Sequence, residues 1–164
     1  MAADQGSLEE KIGRLLKGQG LKLAVAESCT GGLVADRLTD VPGSSDYFLG
    51  GIVAYAYEAK VALLGVSWDT LHGYGAVSRE TVLEMARGAR KALGADVAIS
   101  VSGIAGPGGG LPNKPVGTTW LGLSTPDEER SYLLQFQGDR RSNKVQATEA
   151  ALGVLHDFLS GQPA

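Results

Sequence analysis

A single cysteine, Cys29, stands in the 164-residue chain, so no internal disulfide can form and a cysteine-rich metal site is excluded. Histidine is nearly as scarce: His72 and His156 lie far apart, and no His-Glu metal box is present. No run approaches the roughly 18 apolar residues of a membrane-spanning helix. The N-terminal MAADQGSLEEK has neither the basic nor the apolar region of a signal peptide. Neither sign of charge dominates, and a net charge of −3 gives no electrostatic footprint for nucleic acid. The phosphate loop G-x-x-x-x-G-K-[ST], the dinucleotide fingerprint G-x-G-x-x-G and the nucleophile elbow G-x-S-x-G are also missing. These absences lead to the expectation of a cytoplasmic protein with no metal, no cofactor, no nucleic-acid partner and no membrane.

What is present describes a globular chain. Apolar residues make up 43%, charged residues 20%, and there are 24 glycines, in a length that suits one domain over residues 1–164 with one substantial core. Ser7-Leu8-Glu9-Glu10 is a capping box opening a helix with Leu8, Ile12, Leu15 and Leu16 on one face. Leu21 to Leu33 reads as a short apolar strand, a polar turn and a helix start running to Thr39, with Ser28 or Thr30 as the helix cap. Tyr47 to Tyr55 reads as a second strand, Tyr57 to Leu64 as a short helix closed by Gly65, and Trp68 to Gly75 as an irregular connection. A helix from Arg79 to Leu93 follows, then a strand from Val97 to Val101 buried on both faces. Gly103 to Gly117 holds six glycines and three prolines and cannot be regular structure. Thr118 to Ser124 and Arg130 to Phe136 read as a hairpin, and Arg141 to Leu159 as the last helix. The order αβαβααβ followed by ββα implies a three-layer α/β/α domain with a mixed sheet.

The chemistry-bearing residues gather at predicted strand ends. Ser28, Cys29 and Thr30 follow the first strand, and Gly31-Gly32 allows close backbone approach before a helix start that offers N–H groups to an anion. Ser44 and Ser45 lie on a turn, and Lys60 sits on the short helix after the second strand. A buried lysine can serve a serine as general base without histidine or metal. The plain readings are a solvated helix charge for Lys60, a turn pair for Ser44-Ser45 and a small buried residue for Cys29. Ser102-Gly103 opens the glycine-rich loop at another strand end. Arg140 and Arg141 sit where the helix dipole disfavours cations, which hints at an anionic ligand. Together these features favour a small phosphorylated substrate.

AESCTGG at Ala26 to Gly32, PGSS at Pro42 to Ser45, Tyr55 and EAK at Glu58 to Lys60 resemble the CinA C-terminal domain family. GAVS at Gly75 to Ser78, SGIAGPGGG at Ser102 to Gly110, KPVGT at Lys114 to Thr118 and GDR at Gly138 to Arg140 match in order. The resemblance runs from about Leu8 to Leu159. That family includes stand-alone nicotinamide-nucleotide amidases (PncC), the type suggested by a chain starting at Met1. The resemblance implies hydrolysis of nicotinamide mononucleotide to nicotinic acid mononucleotide and ammonia in pyridine-nucleotide recycling. It implies Ser45 and Lys60 as nucleophile and general base, with Ser28 the alternative nucleophile, and Tyr55 orienting the reacting group. Thr30, Gly31, Ser102, Gly103 and Arg140 would bind substrate, and backbone N–H groups at a helix start or glycine loop would hold the oxyanion. Tyr57 replaces an expected small polar residue, and Ser102 an expected threonine. A non-catalytic nucleotide-binding or assembly domain is the alternative. Trp68 and Tyr74 would serve a subunit interface, so a homo-oligomer is expected.

Overall fold

The computed structural model describes residues 5–162. Ser7 and Glu10 exchange the two hydrogen bonds of a capping box and start helix α1, Leu8–Gln19, which Gly20 closes in a left-handed conformation. Strand β1 is Leu23–Glu27 and helix α2 is Leu33–Thr39. A 3-10 turn over Ser44–Asp46 leads to β2, Phe48–Val53, and then to α3, Tyr57–Leu64. Helices α4, Trp68–Tyr74, and α5, Arg79–Leu93, precede β3, Val97–Gly103. The hairpin strands β4, Thr118–Ser124, and β5, Glu129–Gln135, lead to α6, Arg140–Leu159.

The five strands form one sheet in the order β2-β1-β3-β4-β5. β1 pairs in parallel with both β2 and β3, while β3-β4 and β4-β5 are antiparallel. The sheet is mixed, as the element order implies, and helices cover both faces. Alternation along β1 divides the core: Leu23 and Val25 face Ile12, Leu16, Val34, Leu38, Leu152 and Leu155 of α1, α2 and α6. Ala24 and Ala26 face the opposite way, with Ala98, against Leu64, Leu71, Met85, Ala86 and Ala89 of α3, α4 and α5. Small side chains on that second face let α5 lie close to the sheet. A Cβ at Gly122 would stand only 2.4 Å from the Val82 carbonyl oxygen.

One element differs from the sequence reading. Residues 68–74 form a helix instead of an irregular connection. Ser67 caps it by accepting a hydrogen bond from the Thr70 amide, and buried Leu71 anchors it. Two glycines within or next to a seven-residue helix masked its period. No helix among the described residues is long and apolar enough to cross a membrane.

Candidate active site

The carboxyl ends of β1 and β3 and the start of α3 converge on one crevice. Parallel pairing sets Glu27 beside Val101, and the Ser28 amide continues the ladder by donating to the Val101 carbonyl at 3.0 Å. Ser28 therefore leaves the sheet next to Ser102. From the other side, α3 starts directly after β2 and turns Lys60 inward until its side chain is only 1% exposed. Lys60 Nζ lies 3.0 Å from Ser28 Oγ, 2.9 Å from the Ala54 carbonyl oxygen and 3.1 Å from that of Tyr55. Among the described residues no carboxylate forms an ion pair with it.

This environment has a definite electrostatic consequence. Desolvation lowers the Lys60 pKa from its ordinary value, because burial disfavours the ammonium form. A neutral amine keeps two N–H bonds, and the two backbone carbonyls accept both. The charged lysine donates to Ser28 Oγ, and in the neutral form its lone pair takes that direction. In its neutral form Lys60 can accept the Ser28 proton.

Around this pair is a cavity of about 260 Å³, lined on its deep side by Ser28, Cys29, Lys60 and Ser102. Tyr55, Ala76, Val77, Arg140 and residues of the loop between Gly103 and Gly109 complete the lining. Ser102 Oγ donates to the Ala76 carbonyl at 2.8 Å, so its lone pairs remain for the cavity. Arg140 donates to the Gly106 carbonyl at 2.8 Å and to the Tyr55 hydroxyl at 2.7 Å, forming a cationic rim. Asn143, on the inner face of α6, donates to the carbonyls of Ala105 and Gly138 and ties the glycine loop to the helix that carries Arg140. Among the described residues, the amides of Gly106, Gly108 and Gly109 reach no protein acceptor. The thiol of Cys29 is pushed up to about 11 by burial, which keeps it protonated and unreactive near neutral pH.

Several expected site residues lie elsewhere. Ser45 is exposed on the 3-10 turn before β2. The adjoining Tyr47 carbonyl accepts from the Leu23 amide, which places that turn at the amino end of β1. Ser28 is at the other end, roughly 17 Å away for a strand of this length. Ser45 is thus not brought to Lys60, because parallel pairing puts the entry to β2 and the exit of β1 at opposite ends of the strands. Thr30 is fully buried and donates to Glu27 Oε1 at 2.6 Å instead of lining the cavity. Gly31 also lies outside the lining, with φ at +62° in the turn. Neither Ser28 nor Thr30 caps α2: its N-cap is Gly32 at φ +108°, and the Glu27 carboxylate accepts from the amides of Val34 and Ala35. Those helix-start amides are therefore not available to a substrate oxyanion. Tyr57 is outside the lining, its hydroxyl directed toward Gly75. Glu27 and Asn143 were not expected as supporting residues. A carboxylate ending an otherwise apolar strand, and an asparagine on the apolar face of a helix, are the signals that marked them.

Among the described residues no cluster of three or more His, Cys, Asp and Glu side chains could hold a metal ion. The family profile of the CinA C-terminal domain matches residues 5–159. The chain belongs to that family. A putative competence-damage inducible protein of Halothermothrix orenii is 50% identical over 157 residues, covering 95% of this chain and 38% of the relative. A CinA-like protein of Chloroherpeton thalassium is 52% identical, covering 93% of this chain and 37% of the relative. The chain thus spans well under half the length of these CinA-family relatives. Among solved structures, a CinA superfamily protein from Klebsiella pneumoniae superposes with a TM-score of 0.90 at 35% identity, covering 94% of this chain and 96% of that one. The competence/damage inducible protein CihA from Agrobacterium tumefaciens gives 0.88 at 38% identity, covering 98% and 99%. The mixed sheet with helices on both faces is the CinA fold.

Proposed function

We infer that this CinA-family domain hydrolyses the carboxamide of nicotinamide mononucleotide, with Ser28 as nucleophile and Lys60 as general base. The observation that carries the reading is the 3.0 Å approach of buried Lys60 Nζ to Ser28 Oγ inside a solvent-connected cavity. A binding module has no need of a desolvated lysine held against a hydroxyl. Lys60 takes the Ser28 proton as Oγ bonds to the carboxamide carbon, and the carbonyl π-electrons move onto oxygen. The glycine-loop amides stabilise that oxyanion. Collapse breaks the C–N bond, and the proton returns from Lys60 to the departing nitrogen, which leaves as ammonia. A water molecule, deprotonated by Lys60, then attacks the resulting ester and releases nicotinic acid mononucleotide with Ser28 restored. Arg140 supplies positive charge at the rim for the phosphate, and Ser102 presents an acceptor to the carboxamide N–H.

The test is ammonia release from nicotinamide mononucleotide in chelator-treated buffer. Wild type and Ser45→Ala are expected to turn over within about twofold of each other. Ser28→Ala and Lys60→Ala are expected to lose on the order of a thousandfold or more. Nucleotide binding without ammonia release by wild type would replace this reading with that of a non-catalytic binding domain.

A further inference from the structure

The turn that presents Ser28 contains a buried carboxylate that takes no part in the reaction just outlined. Glu27 is the last residue of β1 and is fully buried. Its two oxygens accept three hydrogen bonds: from Thr30 Oγ1 at 2.6 Å, from the Val34 amide at 2.9 Å and from the Ala35 amide at 3.1 Å. The end of the strand is thereby tied to the beginning of α2 through a side chain, and Thr30 ties the middle of the intervening turn to the same carboxylate. Gly31 and Gly32, both at positive φ, permit so tight a path.

Ser28 is the first residue of this closed turn. Its amide is fixed to β3 through Val101, and the far end of the turn is fixed through Glu27. With both ends held, the Ser28 side chain is directed across the crevice to Lys60. The carboxylate also sits where the partial positive charge of a helix start favours it. Glu27 makes no bond to Lys60 itself, whose Nζ contacts are Ser28, Ala54 and Tyr55.

We propose that Glu27 is a positioning residue for the nucleophile, its carboxylate closing the turn so that Ser28 Oγ stays within hydrogen-bond reach of Lys60. The proposal rests on Ser28 being the nucleophile. It assigns Thr30 to the same device, as the hydroxyl that steadies Glu27. A glutamine at position 27 has the same length but turns an NH₂ group toward N–H donors, so one contact becomes repulsive and the turn loosens.

Two readouts test this on the whole chain: steady-state kinetics with nicotinamide mononucleotide, and the rate at which a fluorophosphonate labels Ser28, with Ser28→Ala as the blank. For Glu27→Gln, kcat and the labelling rate are expected to fall together by about tenfold or more, since small misplacements of reacting atoms are costly. KM should stay within about twofold, and the pH midpoint of kcat should stay at the wild-type value. Thr30→Val, which removes one of the three donors, should show the same pattern to a smaller extent and decides the matter if Glu27→Gln does not fold. Unchanged kcat and labelling in a folded variant, or a loss confined to KM, would overturn the proposal. Wild-type labelling without ammonia release would reject the amidase reading yet leave the positioning of Ser28 testable by the labelling rates. Neither labelling nor ammonia release by wild type would overturn both.

Discussion

Lys60 Nζ and Ser28 Oγ stand 3.0 Å apart although 32 residues separate them in the chain. Burial lowers the lysine pKa below 10.5, and the sign of the pH response follows. The proposed hydrolysis needs the neutral amine, so kcat should rise with pH through the lowered value and level off above it. In the window between that value and 10.5 the folded state binds fewer protons than the unfolded chain, so stability also rises with pH there. A pH–rate profile showing a midpoint at or above 10.5, or none, would contradict this account. Lys60→Arg, always charged, should be inactive at every pH.

Arg140 and the Tyr55 hydroxyl are joined at 2.7 Å over the mouth of the cavity. Arg140→Gln should raise KM for nicotinamide mononucleotide by about tenfold while kcat changes less, in line with a solvent-reachable charge-assisted contact. Tyr55→Phe should have a smaller effect of the same sign, and the double variant should cost less than the two effects combined. The unphosphorylated riboside should be indifferent to Arg140→Gln. Equal losses on both substrates would refute a phosphate role.

Gly88 lets α5 cross α3 closely: a Cβ there would fall 1.8 Å from the Leu64 carbonyl oxygen. Gly88→Ala must push the end of α3 outward, and Lys60 lies one turn upstream. Overpacking of this kind costs about 1–3 kcal/mol. Thermal unfolding should register it as a fall of several degrees, accompanied by a drop in kcat. Wild-type melting and turnover would show that α3 can yield there without moving Lys60.

Cys29 should be a slow thiol. With its pKa pushed from 9.0 to about 11, the thiolate fraction near pH 8 is about a hundredfold below that of the unfolded chain. Alkylation followed by mass spectrometry, with and without denaturant, measures the ratio. Because this folded pKa is raised, the associated stability is intact below pH 9 and is lost as pH climbs toward 11. Comparable rates in both conditions would place the sulfur in solvent.

Local patterns made much of the architecture legible. The capping box at Ser7, the period of Arg79–Leu93 and the apolar run of β3 are short-range signals, and each element formed where its pattern predicts. The helix over Trp68–Tyr74 was hidden because its only buried anchor, Leu71, gains meaning from packing under α5 and not from a repeated pattern. Thr30 shows the same limit within the site. A hydroxyl beside two glycines reads as a ligand contact, but the buried acceptor at Glu27 claims its proton.

The sequence by itself determined the family, the alternating α/β order, and the residues that gather around the candidate site: serines, one lysine on a short helix, a glycine-rich loop and an arginine. Which serine meets the lysine was decided only by tertiary structure. Ser28 and Ser45 are both turn residues flanking strands, and the strand–turn–helix setting of Ser28 does not outweigh the family resemblance that points to Ser45. Parallel pairing of β1 with β2 carries the exit of one strand and the entry of the other to opposite ends of the sheet, and the helix after β2 returns Lys60 to the exit of β1. The lysine's altered acidity has the same origin, since desolvation arises from neighbours brought together by the fold and not from the residues beside it in the chain.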